Sequence, residues 1–245
     1  MRFGIIGAGP IGSNIAKKLV DNGHDVKIAD ARGIERLEGK KLSGTPVVVE
    51  DVIKNIDVLI ISIPFHALPS IRHIIDKVGK EVVVVDTSNY FPQFSSKIEE
   101  IENGMVESVW VSNQLGRPII KAFNNFIAYT LEHHGTPEGN HGRIAIAIAG
   151  DDPSHKQIIM GVANDLGFDS VDSGSLSDSW RQQPGTPAYC TELTKEELAI
   201  ALNKANKEKA PFLRDKVMEK RLASPGGYSP QDIVNLNREI YSNES

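Results

Sequence analysis

Cysteine is nearly absent: Cys190 stands alone in 245 residues, which excludes an internal disulfide framework and fits a reducing compartment. With no helix start or basic cluster beside it, Cys190 is expected to be an inert thiol. No apolar stretch approaches the roughly 20 residues that span a bilayer. The opening MRFGIIGAGP runs straight into an apolar strand, without the basic and hydrophobic regions of a secretory leader. A cytoplasmic protein with no membrane partner is therefore expected. Excess positive charge is missing too; a net charge of -5 opposes electrostatic capture by nucleic acid and favours a small-molecule partner. The histidines, His24, His66, His73, His133, His134, His141 and His155, show no metal-ligand spacing and have no cysteine companions, so no metal site is expected. Nucleophile elbows and Walker loops are absent, which leaves no side chain marked as a catalytic nucleophile.

What is present is an alternation of short β-rich runs with segments of helical period, the mark of a doubly wound, mostly parallel α/β sheet of Rossmann type. Strands are predicted at 3–6, 26–30, 47–49, 58–63, 82–86, 119–123, 144–149 and 168–172. Several are unbroken Val/Ile runs, as strands buried on both faces should be. Ile11, Ile15 and Leu19 share one helical face before Gly23. Leu68, Ile71 and Ile75 mark a later helix, and Ile158, Ile159, Val162 and Leu166 another that opens at Asp152-Pro153 and stops at Gly167. The alternation divides the chain into a dinucleotide-binding domain over 1–178 and an appendage over 179–245. The appendage starts with an irregular segment rich in turn formers. Helices follow: Thr194 and Glu197 form a capping box, and Pro211 opens a second helix. The tail from Ser224 is expected to be loosely held.

The strongest signal is Gly7-Ala8-Gly9-Pro10-Ile11-Gly12, between the first strand and the first helix, with Asp30 18 residues beyond Gly12 at the end of the second strand. Gly7 permits the tight turn, Gly9 lets a diphosphate approach the backbone, and Gly12 allows the helix to pack on the strand. The helix N-terminus then holds the diphosphate. Strand, glycines, helix, second strand and terminal acid in that order predict a nicotinamide dinucleotide. Asp30 can accept both ribose hydroxyls of NAD and repels a 2′-phosphate; Arg32, next to Ala31, can hold that phosphate or stack on adenine. Both cofactors stay open on this reading.

Ser62-Ile63-Pro64 and Asp86-Thr87-Ser88-Asn89 end the fourth and fifth strands at the carboxyl edge, where ligands bind in open α/β sheets. They should border the nicotinamide, with Thr87 or Asn89 bonding to its carboxamide or ribose.

Six segments together carry a family resemblance: GAGPIG (7–12), ADARG (29–33), SIPF (62–65), KAFNN (121–125), AGDD (149–152) and LGFDSVDSGSL (166–176). Over roughly residues 1–178 the chain resembles the deazaflavin-dependent NADP oxidoreductases, which are also similar to the cytosolic domain of membrane metalloreductases. The resemblance implies direct hydride transfer between NADP(H) and the ring of a deazaflavin or flavin. It places the glycine loop, Ala31, Arg32, Ile63 and Pro64 on the cofactor, with Ala122, Phe123 and Asn124 beside the reacting rings. The family usually carries a small or neutral residue and then Ser-Arg where this chain has Asp30-Ala31-Arg32.

The expectation is a Rossmann-type oxidoreductase passing hydride between NADP(H), or NAD(H), and a flavin-like or deazaflavin acceptor. Trp180, with Arg181, is expected to add an aromatic face for that acceptor, and a homodimer is the expected assembly. One rival is a reductase of a small carbonyl or imine, with Lys121 or His66 as general acid. The other is a non-enzymatic dinucleotide sensor that signals through its C-terminal helices.

Overall fold

Phe3, Ile5, Ile28, Val58, Ile60 and Val85 are buried on one face of a central sheet, and Ile6, Leu59, Ile61 and Val84 on the other. Apolar residues at consecutive strand positions can be buried only if both faces are covered, and they are. The structure, a computed structural model, describes residues 1–243. Its strands are β1 (Arg2–Ile6), β2 (Asp25–Ala29), β3 (Thr45–Pro46), β4 (Val58–Ile61), β5 (Val83–Asp86), β6 (Ile120–Lys121), β7 (Ala145–Ala149) and β8 (Asp169–Gly174). They form one sheet in the order β3-β2-β1-β4-β5-β6-β7-β8. All neighbours are parallel except β6 and β7, which meet antiparallel at Lys121 and Ala149. This is the doubly wound α/β fold.

Helices α1 (Pro10–Asp21), α2 (Val49–Val52), α3 (Arg72–Ile75), α4 (Glu99–Glu102), α5 (Glu107–Leu115), α6 (Ala128–His133) and α7 (Pro153–Asp165) connect the strands. Ile15 and Leu19 of α1, Leu131 of α6 and Ile159 and Val162 of α7 cover one face; Val52, Ile74, Trp110, Val111 and Leu115 cover the other. Each fully buried aliphatic side chain contributes about 1.5–3 kcal/mol. Asp152 caps α7 by accepting from the Ser154 and His155 amides.

Beyond the sheet follow α8 (Lys195–Lys204), α9 (Ala210–Leu222) and α10 (Pro230–Asn243). The capping box of Thr194 and Glu197 opens α8. Leu198, Ala201 and Leu202 pack on Ala145 and Ala147, so α8 lies on the sheet itself. Leu213 and Val217 of α9 meet Leu236, Ile240 and Tyr241 of α10.

Three expectations are corrected. The third strand is Thr45–Pro46, paired with Lys27 and Ile28, whereas Val49 already begins α2. The segment around Leu68 is a 3-10 helix, Phe65–Ile71, interrupted by Pro69, which removes an N–H and cannot sit inside a regular α-helix. The tail beyond Ser224 is not loose, because Val234, Leu236, Ile240 and Tyr241 bury an apolar face of α10.

Candidate active site

The order of strands reverses between β1 and β4, which opens a crevice at their carboxyl ends. Register aligns the exits: Ile6 pairs with Ala29 and Ile61, Ile61 with Asp86, and Asp86 with Lys121. The next residues, Gly7, Asp30, Ser62, Thr87 and Ala122, therefore stand along one edge of the sheet. Residues up to 115 positions apart in the sequence are brought together this way.

The three glycines do different work. A Cβ at Gly7, whose φ is +115°, would lie 2.1 Å from the Ser62 carbonyl oxygen, and one at Gly12 would lie 2.0 Å from the Gly7 oxygen. A Cβ at Gly9 would meet nothing within 4 Å. Gly7 and Gly12 are thus needed by the fold, while Gly9 keeps a space clear. Gly9 is also the N-cap of α1, Pro10 is the first helical residue, and no side chain caps this helix. Its first-turn amides are left for an anion, which fits the diphosphate of a dinucleotide.

At the exit of β2, Asp30 and Arg32 form a fork. Arg32 Nε donates to Asp30 Oδ1 at 3.0 Å and Nη2 to Oδ2 at 2.9 Å, and the Arg32 amide also donates to Oδ1 at 3.0 Å. The Arg32 hydrogen bonds, working against burial, hold the Asp30 carboxyl below its ordinary pKa. The Asp30 side chain is 8% exposed and that of Arg32 67%, so the guanidinium is what faces solvent. Ala31 packs against the apolar cluster on one face of the sheet.

Ser62 and Ile63 are half-buried and Pro64 is exposed along the β4 exit. Thr87 Oγ1 donates back to the Ile61 carbonyl at 3.2 Å. Asn89 Nδ2 donates to the Asn124 carbonyl at 3.1 Å, and Asn124 Nδ2 donates to Asn89 Oδ1 at 3.1 Å, which ties the β5 exit to the β6 exit. Asn124 also donates to the Gln182 carbonyl and accepts from Gln182 Nε2, each at 2.9 Å. Ala122, Phe123 and Asn124 are buried at the exit of β6. Phe123 holds φ at +59°, a left-handed conformation rare for a bulky residue and typical of a constrained site.

A cleft of about 380 Å³ opens beside Pro10, Ile11 and Asn89. Its far walls come from Phe91, Tyr189, Cys190 and helices α9 and α10, including Met218, Arg221 and Asn237. Burial raises the Tyr189 hydroxyl well above its ordinary pKa and pushes the Cys190 thiol up to about 12, so both stay protonated at neutral pH. Sequence reasoning missed Tyr189, Arg221 and Asn237 because they lie far along the chain from the glycine loop and carry no motif. Trp180 lines a different cavity, with Glu107 and Arg214, and Arg181 lies 5.7 Å from its ring.

Neither expected acid lines the cleft. Lys121 is fully buried, donates to Asp86 Oδ2 at 2.7 Å and also donates to the Ser88 carbonyl. His66 is exposed on the 3-10 helix. Among the described residues no group of three or more His, Cys, Asp or Glu side chains is placed to hold a metal, and no helix is long and apolar enough to cross a membrane.

Comparison with known proteins agrees with this geometry. Residues 2–90 match the family model described as NADP oxidoreductase, coenzyme F420-dependent. The Escherichia coli (strain K12) protein YjhV is 47% identical over 114 residues, 45% of this chain and 80% of that protein. The solved structure of protein SMa0349 from Sinorhizobium meliloti has a TM-score of 0.67 at 28% identity, covering 80% of this chain and 96% of that one. A protein from Arthrobacter sp. FB24 assigned as an F420-dependent NADP-reductase shares the fold, with a TM-score of 0.60 at 16% identity over 73% of this chain and 87% of that one. Fold, glycine loop and relatives together define the class: an NAD(P)-dependent oxidoreductase. Within that class the chain belongs to the coenzyme F420-dependent NADP oxidoreductase family.

Proposed function

We propose that the enzyme transfers hydride between NADP(H) and the ring of a flavin-like or deazaflavin acceptor seated in the cleft beside Asn89. The observation that carries this reading is the composition of the cleft: Phe91, Phe126, Tyr189, Tyr241 and Met218 line it, and among the described residues Arg221 is its one cation and no carboxylate, lysine or histidine contributes. Such walls suit a flat conjugated ring. When bound, the dinucleotide supplies the hydride. The chain supplies alignment, which is the main requirement for transfer between stacked rings. The α1 amides and the space at Gly9 take the diphosphate, Arg32 takes the 2′-phosphate, and Ser62, Ile63 and Pro64 back the nicotinamide. The Asn89–Asn124 pair fixes the floor, and α9 and α10 exclude water from the reacting centres.

A second reading rests on one observation: Tyr189, whose hydroxyl is held protonated by burial, is a residue of the cleft wall. A small carbonyl or imine needs a proton delivered to its nascent oxygen or nitrogen, and on this reading Tyr189 donates it. An acceptor screen following NADPH oxidation, covering deazaflavin, flavins, ferric chelates, small carbonyls and imines, separates the two. Turnover with ring acceptors supports the proposal, and turnover confined to carbonyls or imines overturns it.

A further inference from the structure

On the other side of the segment 89–91 lies a second cavity, of about 440 Å³. The segment alternates as extended chain does. Asn89 and Phe91 face the acceptor cleft, whereas Tyr90 turns away and is fully buried. Its hydroxyl donates to Glu102 Oε1 at 2.9 Å and its backbone N–H to Glu107 Oε2 at 3.0 Å. Helix α9 borders both spaces, with Arg214 on this cavity and Met218 and Arg221 on the cleft.

Glu107 lines the cavity although it is only 1% exposed. Oε2 takes the Tyr90 N–H; among the described residues no donor reaches Oε1. The nearby cations are committed elsewhere: Lys121 to Asp86 at 2.7 Å, and Arg214 Nε to Asp215 at 2.8 Å. The Arg214 guanidinium lies 5.4 Å over the Tyr90 ring and, among the described residues, its terminal nitrogens donate no hydrogen bond. A buried carboxyl without a cation of its own is costly, and a bound ammonium group would remove that cost. The same cavity offers a buried guanidinium and the exposed Lys207 for the opposite charge, with Trp180 as an apolar wall.

We propose that this cavity is a second ligand site, taking a small organic zwitterion whose ammonium group pairs with Glu107 and whose carboxylate is held by Arg214 and Lys207. Burial raises the Glu107 pKa to about 7 against the pull of Lys121, the Tyr90 N–H and Arg214, with Asp86 adding to the rise. Glu102 and Glu208 stand at the same cavity, Glu102 engaged by Tyr90. An arriving ammonium therefore finds the carboxyl partly protonated at pH 7 and displaces that proton. Because Tyr90 stands between Asn89 and Phe91, occupancy bears on the wall of the acceptor cleft.

The test is calorimetry at pH 7 in two buffers of different ionisation enthalpy, on the full chain. The probes are L-alanine, β-alanine, 4-aminobutyrate and 5-aminovalerate, with n-butylamine and butyrate as single-charge controls. The expected result is that at least one zwitterion binds about 10-fold or more tightly than either control, with proton release. Glu107→Gln should weaken it about 10- to 100-fold. Trp180→Ala, at the cavity rim, should weaken it as well and serves if Glu107→Gln does not fold. No zwitterion binding up to about 10 mM, binding equal to the controls, or unchanged binding in the variants would overturn the proposal. NADPH titrated into the same samples reports the dinucleotide site separately, so failure here and failure of the redox reading are distinguishable.

Discussion

Arg32 and Asp30 share two parallel hydrogen bonds, Nε to Oδ1 at 3.0 Å and Nη2 to Oδ2 at 2.9 Å. The fork resolves the conflict between an NAD-type acid and an NADP-type base two residues apart. The acid's oxygens are engaged, and the base is held facing solvent where a 2′-phosphate would arrive. NADPH is expected to bind more tightly than NADH. Arg32→Ala frees Asp30 Oδ2, leaves Oδ1 only the backbone N–H of position 32, and should weaken NADPH by about 10- to 100-fold, the scale of a charge-assisted contact. NADH should be unaffected or improved. Fluorescence titration of both nucleotides checks this; a wild type that already prefers NADH would assign the site to Asp30.

Gly9 and Gly12 are expected to fail differently. Gly9→Ala adds a methyl group to open space at a permitted backbone conformation, so stability should change by no more than about 0.5 kcal/mol while dinucleotide affinity falls. Gly12→Ala forces a Cβ to 2.0 Å from the Gly7 oxygen and should cost about 2–4 kcal/mol. Thermal melts with and without NADPH separate the two effects.

The Lys121–Asp86 pair is fully buried. Lys121→Met strands the Asp86 carboxylate and should destabilise the protein by about 3–5 kcal/mol, and adding Asp86→Asn should recover part of the loss. Urea denaturation of the single and double variants measures the coupling. Lys121 does not line the cleft. The folded fraction of Lys121→Met should therefore keep its hydride-transfer rate within about 10-fold, whereas a general acid would lose 100-fold or more.

Much of this was legible in the sequence. Val58–Ile61 and Val83–Asp86 are unbroken apolar runs that only two-sided burial explains, and the glycine loop places the site at their exits. Thr45–Pro46 was not legible as a strand, because its two residues take their conformation from pairing with Lys27 and Ile28. Val234, Ile240 and Tyr241 carry a helical spacing, but the turn formers of PGGYSP stand before them and mask it locally. The far wall of the cleft was hidden for a different reason. Tyr189 and Arg221 reach Asn89 only through the packing of α9 and α10, a long-range contact that no local pattern encodes. Phe123 and Asn124, which the family resemblance places beside the reacting rings, are buried at the exit of β6.

Glu107 makes stability depend on pH in an unusual direction. Its folded pKa, about 7, lies above the ordinary glutamate value of 4.5, so between these values the native state binds more protons than the unfolded state. Stability from this group is fully present below pH 4.5 and is lost as pH rises through 7, by about 3 kcal/mol in total. Glu107→Gln should abolish that slope and gain on wild type from pH 5 to pH 8. Chemical denaturation across this range tests it; parallel wild-type and variant curves would refute the burial argument.

The central claim is ring-to-ring transfer in the cleft of Asn89, Phe91 and Tyr189, where alignment matters and no side chain delivers a proton. Stopped-flow oxidation of NADPH by the best acceptor, in wild type, Tyr189→Phe and Met218→Trp, tests it most directly. The account predicts that Tyr189→Phe slows the step less than about 10-fold. Met218→Trp, which fills the cleft, should slow it by about 100-fold with NADPH affinity nearly unchanged. A loss of about 100-fold or more in Tyr189→Phe, the scale of general acid catalysis, would contradict the account and favour a small carbonyl or imine substrate.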